Sequence, residues 1–162
     1  MDLKLDGKTA LITGASMGIG EHIAETLATE GVHLHLTARS ENKLQALKAR
    51  ISEASNVSVR LHPLDLTSEG ASEHLAHEIG NIDSLVNNAG AIPSGDLWDV
   101  DEAAWRNGFD LKVFGYINMC RQFYTKMKEG GGGVIINIIG NGGEVLGRNY
   151  ICLLYTSPSP RD

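Results

Sequence analysis

The sequence has few cysteines, no long hydrophobic run and no excess of positive charge. Its two cysteines, Cys120 and Cys152, do not suggest a disulfide framework, and Cys120 falls inside a predicted helix as a small core residue. No apolar stretch is long enough to cross a bilayer, and the polar first residues do not resemble a signal peptide. The net charge of -6 disfavours non-specific binding to nucleic acid. We therefore expect a cytoplasmic protein that binds neither a membrane nor nucleic acid.

Clusters of metal-ligating residue types are also missing. His33 and His35 alternate along the second predicted strand, but no carboxylate or cysteine stands beside them at ligand spacing. We interpret both as packing or surface histidines and expect no metal site.

Composition and hydrophobic pattern indicate the fold class. The 162 residues, 42% hydrophobic and 21% charged, are typical of one soluble globular domain. Alternating and continuous apolar runs predict five strands, at 9–13, 32–38, 57–64, 82–86 and 134–139. Helices are predicted at 18–29, from a Ser40 cap through Ile51, from a Thr67 or Ser68 cap through Ile79, and from about 101 to 128. This alternation predicts an α/β fold, a three-layer, doubly wound parallel sheet of Rossmann type.

Two of these helices have a defined apolar face. The first places Ile19, Ile23 and Leu27 four residues apart, with small alanines where the helix must approach a sheet. The long helix repeats apolar residues at helical spacing: Trp105, Phe109, Val113, Tyr116 or Ile117, Cys120, Phe123 or Tyr124, and Met127.

A glycine-rich loop, Thr13-Gly14-Ala15-Ser16-Met17-Gly18-Ile19-Gly20, connects the first strand to the first helix. Glycines there allow backbone to come close to a diphosphate, and the helix that follows offers free N–H groups and the positive end of its dipole. The loop therefore predicts a phosphate-binding site where ligands of parallel α/β sheets bind. A tight turn without a ligand is the alternative that the loop alone leaves open.

Two further motifs follow later strands, Asp65-Leu66 after the third and Asn87-Asn88-Ala89-Gly90 after the fourth. With the Thr-Gly-x-x-x-Gly-x-Gly loop, in this order and at these separations, they resemble the short-chain dehydrogenase/reductase family over about residues 5–150. The resemblance implies a dinucleotide cofactor held by Gly14, Ser16, Met17, Gly18, Ile19, Gly20, Arg39, Asp65, Leu66, Asn88, Ala89 and Gly90. Within that set, the loop would line the diphosphate, Asp65-Leu66 the adenine, and 88–90 the ribose and nicotinamide. Asn87 and Asn88 could also tie neighbouring loops together.

The residues after the second strand favour one form of the cofactor. NAD enzymes usually carry a carboxylate there, which accepts a hydrogen bond from the ribose 2′-hydroxyl. This chain has Ala38 followed by Arg39, whose guanidinium would pair with a 2′-phosphate. We therefore expect NADP(H) rather than NAD(H). Met17 stands where NADP-preferring family members often have a second basic residue, and Arg39 could instead be a solvated loop residue.

The catalytic groups that the resemblance implies are only partly present. The family uses a tyrosine activated by a lysine, a serine that holds the substrate oxygen, and an asparagine in a water relay. In this chain Lys112 stands at the asparagine position and Gly140 at the serine position, and Tyr150 is the candidate tyrosine. The lysine position holds Leu154. We expect Tyr150 and Lys112 to be the catalytic residues, with Lys112 acting as a cation near the relay unless it is a helix-surface lysine.

Residues 152–162 depart abruptly from the family pattern, with two prolines where a helix is expected. They match, residue for residue, the translation of a common transposase sequencing adaptor, although a genuine Ser/Pro-rich tail is the alternative. We therefore expect a partial dinucleotide-binding domain at 1–151, truncated after the fifth strand, and a non-native tail at 152–162. Such a chain would expose apolar surface and aggregate, whereas its full-length parent is expected to be a homo-oligomer.

Two functions remain open at this stage. The first is an NADP(H)-dependent oxidoreductase that transfers hydride between nicotinamide and a carbonyl or alcohol substrate, with this chain as an inactive fragment of it. The second is a dinucleotide-binding sensor or scaffold that has the same fold but performs no hydride transfer. The substitutions Lys112 and Gly140 keep the second hypothesis open.

Overall fold

The computed structural model describes residues 3–140, so Tyr150, Leu154 and the 152–162 tail lie outside the described residues. The strands are β1 Thr9–Thr13, β2 His33–Ala38, β3 Val59–Pro63, β4 Ser84–Asn87 and β5 Val134–Asn137. The helices are α1 Gly18–Thr29, α2 Glu41–Ala54, α3 Ala71–Ile79, α4 Glu102–Phe109 and α5 Tyr116–Glu129, with a π-helical turn, Asp110–Gly115, between α4 and α5.

The five strands form one parallel sheet in the order β3-β2-β1-β4-β5. The predicted fold class is confirmed. The order changes direction at β1, because β2 and β3 extend the sheet on one side of it while β4 and β5 extend it on the other. Ligands of such sheets bind beyond the carboxyl ends of the strands at this switch point. The loop from Thr13 to Gly20 starts there.

Each face of the sheet has its own hydrophobic core. Ile12 packs in the core covered by α1 and α2, and its neighbour Leu11 packs in the core covered by α3 and α5. This split follows from the alternation of side chains along a strand. Buried runs such as β1 are apolar on both faces, as the central strand of a covered parallel sheet must be.

The predicted apolar face of α1 is wrong in one respect. Its most buried positions are the small residues Gly20, Ala24 and Ala28, and Ile19 is 62% exposed. Small side chains let the helix axis lie close to the sheet, so the bulky residues Ile23 and Leu27 pack at the flank of the core. Ile19 is thereby free to line the site described below.

The predicted long helix is interrupted by the π-helical turn. Asp101 caps its start, with a carboxylate oxygen that accepts from the Ala104 N–H at 2.8 Å. A π-helical turn contains an extra residue, which changes the phase of the helix after it. On α5, Met119 and Phe123 are consequently buried, while Cys120 is only partly buried. The prediction of Cys120 as a core position was wrong for this reason.

Two predicted helix caps are not formed. Ser40 precedes α2 as expected, but its side chain makes no capping hydrogen bond. The helix expected to start after Thr67 or Ser68 starts at Ala71, preceded by Gly70 in a left-handed conformation. Thr67 instead binds Asp65 through both its backbone N–H and its hydroxyl.

The histidines of β2 have packing roles. His35 is buried, and its ring stacks on that of His62 with Nδ1 at 2.9 Å from His62 Nε2. His33 accepts a hydrogen bond from the Ser58 N–H. Within residues 3–140, no group of three or more His, Cys, Asp and Glu side chains could hold a metal ion. In the same range, every helix is too short or too polar to span a bilayer.

Candidate functional site

A cleft of about 440 Å³ opens at the carboxyl ends of the central strands. It is lined by Gly14, Ser16, Met17, Ile19, Thr37, Ala38, Arg39, Ser40, Lys43, Leu64, Asp65, Leu66, Asn88, Ala89, Gly90, Ala91 and Leu111. Motifs far apart in the sequence are therefore brought to one place. Every residue predicted to bind the cofactor lies in its wall except Gly18 and Gly20.

Gly18 and Gly20 shape the glycine loop rather than line the cleft. Gly18 shares with Gly14 a left-handed backbone conformation that favours glycine, with φ angles of 61° and 67° respectively. At Gly14 a Cβ would lie 2.8 Å from Ala89 Cα, and at Gly20 it would collide with the Gly14 carbonyl oxygen. The loop, the start of α1 and the turn after β4 can therefore approach this closely only without side chains at Gly14 and Gly20, whereas Gly18 is required by its backbone conformation alone.

Thr13 and Asn88 join β1 to the turn after β4. The buried Thr13 hydroxyl oxygen accepts from the N–H groups of Asn88 and Ala89 at 2.9 and 3.0 Å. The Asn88 side-chain amide donates to the carbonyls of Thr13 and Gly14 at 3.0 and 3.2 Å. The tying role considered for Asn88 is thus present, and Asn87 makes a similar tie to Asn137 at 2.9 Å. Thr13 was not singled out from the sequence, because its partners lie more than seventy residues away.

Asp65 forms the acidic part of the cleft wall. Its carboxylate accepts from the Thr67 N–H at 2.9 Å and from the Thr67 hydroxyl at 2.7 Å. These bonds lower the pKa of Asp65, and the nearby Arg39 lowers it further. Asp65 is therefore a fixed, ionised acceptor, with the aliphatic walls of Leu64 and Leu66 on either side of it in the chain.

Two basic side chains stand on the β2 side of the cleft. Arg39 follows β2 directly, and Lys43 lies in the first turn of α2. Arg39 was predicted from its position after the strand, whereas Lys43 was not predicted. The available signal was its position, because the first turn of the helix that follows β2 lies near the carboxyl end of that strand.

Lys112 lies between Gly90, after β4, and Ile138, after β5. Its ammonium donates to the Tyr116 hydroxyl at 2.7 Å and to the Ile138 carbonyl, and the Tyr116 hydroxyl donates to the same carbonyl at 3.0 Å. A Cβ placed on Gly90 would lie 3.2 Å from Lys112 Cδ. Lys112 is half-buried and bonded to the end of the sheet, so its reading as a helix-surface lysine is wrong.

Burial perturbs both members of this pair. It lowers the pKa of Lys112, because the charged ammonium is partly removed from water. It raises the pKa of Tyr116 well above its ordinary value, so that this phenol stays protonated and donates to Ile138. Tyr116 was missed from the sequence as a polar partner, since it was counted only as an apolar helix position.

The chemistry of the cleft fits a phosphorylated ligand with a flat ring. The amino terminus of α1 has no side-chain cap, so its first N–H groups remain available to an anion. The Thr37 hydroxyl is buried in the cleft wall with no hydrogen-bond partner among residues 3–140. Aliphatic residues and an ionised carboxylate supply a surface for a ring that carries an amine.

Comparison with known proteins is consistent with this arrangement. The sequence profile of a family described as short chain dehydrogenase matches residues 8–155. D-threitol dehydrogenase from Mycolicibacterium smegmatis is 32% identical over 140 residues, which cover 85% of this chain and 54% of that protein. 2-Keto-3-deoxy-L-fuconate dehydrogenase from Xanthomonas campestris pv. campestris is 37% identical over 135 residues, which cover 83% of this chain and 43% of that protein. The chain thus spans about half the length of these relatives.

Solved structures show the same architecture. L-sorbose reductase from Gluconobacter frateurii, determined as a complex with NADPH and L-sorbose, superposes with a TM-score of 0.88 at 29% identity over 96% of this chain and 61% of that one. The bulky-bulky ketone specific alcohol dehydrogenase from Comamonas testosteroni gives a TM-score of 0.85 at 27% identity over 92% of this chain and 61% of that one.

Proposed function

The chain belongs to the short-chain dehydrogenase family, and on that premise we propose that the protein carrying it is an NADP(H)-dependent oxidoreductase acting on a carbonyl or alcohol substrate. The observation that carries the proposal is the cleft at the switch point of the sheet. Its wall combines a glycine loop, an uncapped helix terminus, an ionised acceptor and two cations. The family's relatives include dehydrogenases and reductases of small alcohols and ketones.

The cofactor would lie along the cleft with its adenine near β3 and its nicotinamide near the turn after β4. Gly14, Ser16 and Ile19 would surround the diphosphate, with the N–H groups of α1 beside it. Asp65 and Leu66 would hold the adenine, and the turn from Asn88 to Gly90 would form the floor under the nicotinamide ribose. Gly18 and Gly20 would act through the shape of the loop, which supports their assignment as cofactor-binding residues without direct lining.

The preference for a 2′-phosphate rests on charge. No carboxylate follows β2 directly, and Arg39 lines the cleft with no salt bridge to any described residue. A guanidinium pairs with a phosphate through two parallel donors, whereas a carboxylate would repel it. The L-sorbose reductase complex contains NADPH, which supports the same choice for a related fold.

The bound nicotinamide supplies or accepts the hydride. We assign proton handling to Tyr150 and to Lys112. Among residues 3–140, two of the three N–H groups of the Lys112 ammonium are engaged, by Tyr116 and Ile138, which leaves one for a water molecule or a substrate oxygen. Its lowered pKa favours release of a proton compared with an exposed lysine.

A second candidate function is a dinucleotide-binding sensor or scaffold. The bonds of Lys112 favour it, because an ammonium held by Tyr116 and Ile138 fixes the end of β5, a structural role that requires no hydride transfer. Gly140 in the serine position points the same way. In this case the cleft would bind the dinucleotide and no hydride would be transferred.

NADPH oxidation with a panel of ketones and aldehydes separates these functions. The assay uses the longest reading frame that encodes this chain, because the family's relatives are longer. The oxidoreductase proposal predicts turnover that Tyr150→Phe reduces at least about 100-fold, as expected when a general acid is removed. Lys112→Met should also lower kcat, whereas Lys128→Met on the exposed end of α5 should not. Saturable NADPH binding without turnover on any substrate would favour the sensor.

A further inference from the structure

Arg39 and Lys43 differ from Arg50 and Lys8 in their lack of a salt bridge among the described residues. Arg50 forms salt bridges with Glu21 and Glu25, and Lys8 forms one with Asp83. Arg39 and Lys43 line the cleft and make no salt bridge within residues 3–140. Asp65 lies in the same wall and close enough to Arg39 to interact with its charge, but neither cation forms an ion pair with it. The two basic side chains therefore leave an excess of positive charge beside the cavity, which suits an anionic ligand group.

Lys43 extends from α2 to the glycine loop. Its Nζ lies 3.8 Å from the sulfur of Met17, the residue before α1. A thioether is a weak acceptor, so the ammonium keeps most of its donor capacity for another partner. Position 17 itself carries no charge, but the ammonium of Lys43 places a positive charge beside it.

The surroundings of Lys43 add hydrogen-bond donors, and the carboxylate that lines the same cleft, Asp65, makes no salt bridge with it. The Ser40 hydroxyl makes no capping bond, which leaves it and the first N–H groups of α2 available. The buried Thr37 hydroxyl, without a partner among residues 3–140, lines the same cleft. Glu41 in the first turn of α2 is exposed and does not line the cleft.

We propose that Lys43 is a specificity-determining residue that binds the 2′-phosphate of NADP(H) together with Arg39. This inference rests on the proposed function, because it assumes that the cleft holds a dinucleotide. A phosphate monoester carries about −1.5 to −2 charges at neutral pH, so one guanidinium does not neutralise it. Lys43 and the amino terminus of α2 supply the remaining positive charge.

Titration of NADPH and NADH, followed by cofactor fluorescence, tests this assignment in the longest reading frame that encodes the chain. Lys43→Ala should raise the Kd for NADPH about fivefold, the effect of one solvent-exposed ion pair, and leave the Kd for NADH within about twofold. Lys48→Ala, which removes the same charge from α2 away from the cleft, is the matched control and should change neither Kd. Lys43→Arg should restore NADPH binding.

Two results would overturn the role of Lys43. One is a Kd for NADPH that Lys43→Ala changes no more than Lys48→Ala does. The other is an equal loss of NADPH and NADH affinity in Lys43→Ala, which would indicate a general effect on the loop. Either result, with tight NADPH binding by the wild type, would leave the proposed function standing. A wild type that binds neither dinucleotide would refute both proposals.

Discussion

The hydroxyl of Thr13 allows a stringent test of how the site is built. Thr13 and Thr37 are paired in register on β1 and β2, and both are fully buried, at 1% and 0% exposure. The Thr13 hydroxyl accepts from two backbone N–H groups, those of Asn88 and Ala89, whereas the Thr37 hydroxyl has no partner among residues 3–140. The same change, threonine to valine, should therefore have opposite effects at these two positions.

Valine has nearly the shape of threonine, so packing changes little. At Thr13 it leaves two buried N–H groups unpaired, which should cost about 2–4 kcal/mol of unfolding free energy. At Thr37 it removes an unpaired buried hydroxyl, which should be neutral or stabilise the unliganded protein by about 1 kcal/mol. Thr13→Ser keeps the acceptor and loses one methyl group, so it should cost only about 1 kcal/mol.

Urea denaturation of the three variants and the wild type measures these differences. Thr13→Val should also weaken NADPH binding, because Asn88 and Ala89 form the floor at one end of the cleft. Equal free energies of unfolding for Thr13→Val and Thr13→Ser would refute the reasoning. So would a loss at Thr37→Val as large as that at Thr13→Val.

Three further predictions concern the cofactor, the core and the glycine loop. Arg39→Asp should raise the Kd for NADPH at least about tenfold relative to that for NADH, because a bidentate ion pair becomes a repulsion; an unchanged ratio of the two Kd values in fluorescence titrations would contradict this. Burial lowers the pKa of His35 from 6.5 to about 4, so between these pH values the unfolded chain binds more protons than the folded chain. The free energy of unfolding should therefore fall by up to about 3 kcal/mol as the pH drops from 6.5 to 4. Urea titrations against pH should show this slope, flattened in His35→Gln but kept in His77→Gln on the exposed face of α3. Gly20→Ala should cost about 1–3 kcal/mol through its collision within the glycine loop, whereas Gly115→Ala, whose Cβ would meet only ordinary contacts, should not destabilise the protein in thermal melts.

The regular part of the fold was predictable because it depends on local pattern. The bounds of β1 and α1 match their predictions, since an apolar run defines the strand and the glycine turn marks where the strand ends and the helix begins. The π-helical turn at 110–115 was not predicted, because the apolar repeat allowed alternatives at 116 or 117 and at 123 or 124, and these hid the change of phase. The expected caps failed at Ser40 and Thr67, since the sequence does not show which of several acceptors a hydroxyl or backbone group will choose.

The candidate site was predictable where its residues follow strands directly. Asp65, Asn88 and the glycine loop meet because the carboxyl ends of parallel strands share one edge. Thr13 and Lys43 were missed, because their roles depend on partners that only the folded chain brings near. The environment of Lys112 was equally hidden, since its bond to Ile138 crosses from the π-helical turn to the end of β5.

Aggregation of the 162-residue chain stays a prediction. Val134, Ile136 and Ile139 on and beyond β5 are exposed, as are Phe114 and Tyr124 on the long helix. Apolar surface of this extent promotes association. A cooperative thermal transition from a soluble monomer would contradict the expectation.

The ratio of the Kd values for NADPH and NADH in the wild-type protein tests the central claim most directly. We propose that the cleft from the glycine loop to the turn after β4 holds a dinucleotide and that its basic side selects a 2′-phosphate. Both dinucleotides should therefore bind saturably, with NADPH at least about tenfold tighter, as expected for a charge-assisted, bidentate contact. NADH binding as tightly as NADPH would contradict the selection, and the absence of saturable binding for either would contradict the assignment of the cleft.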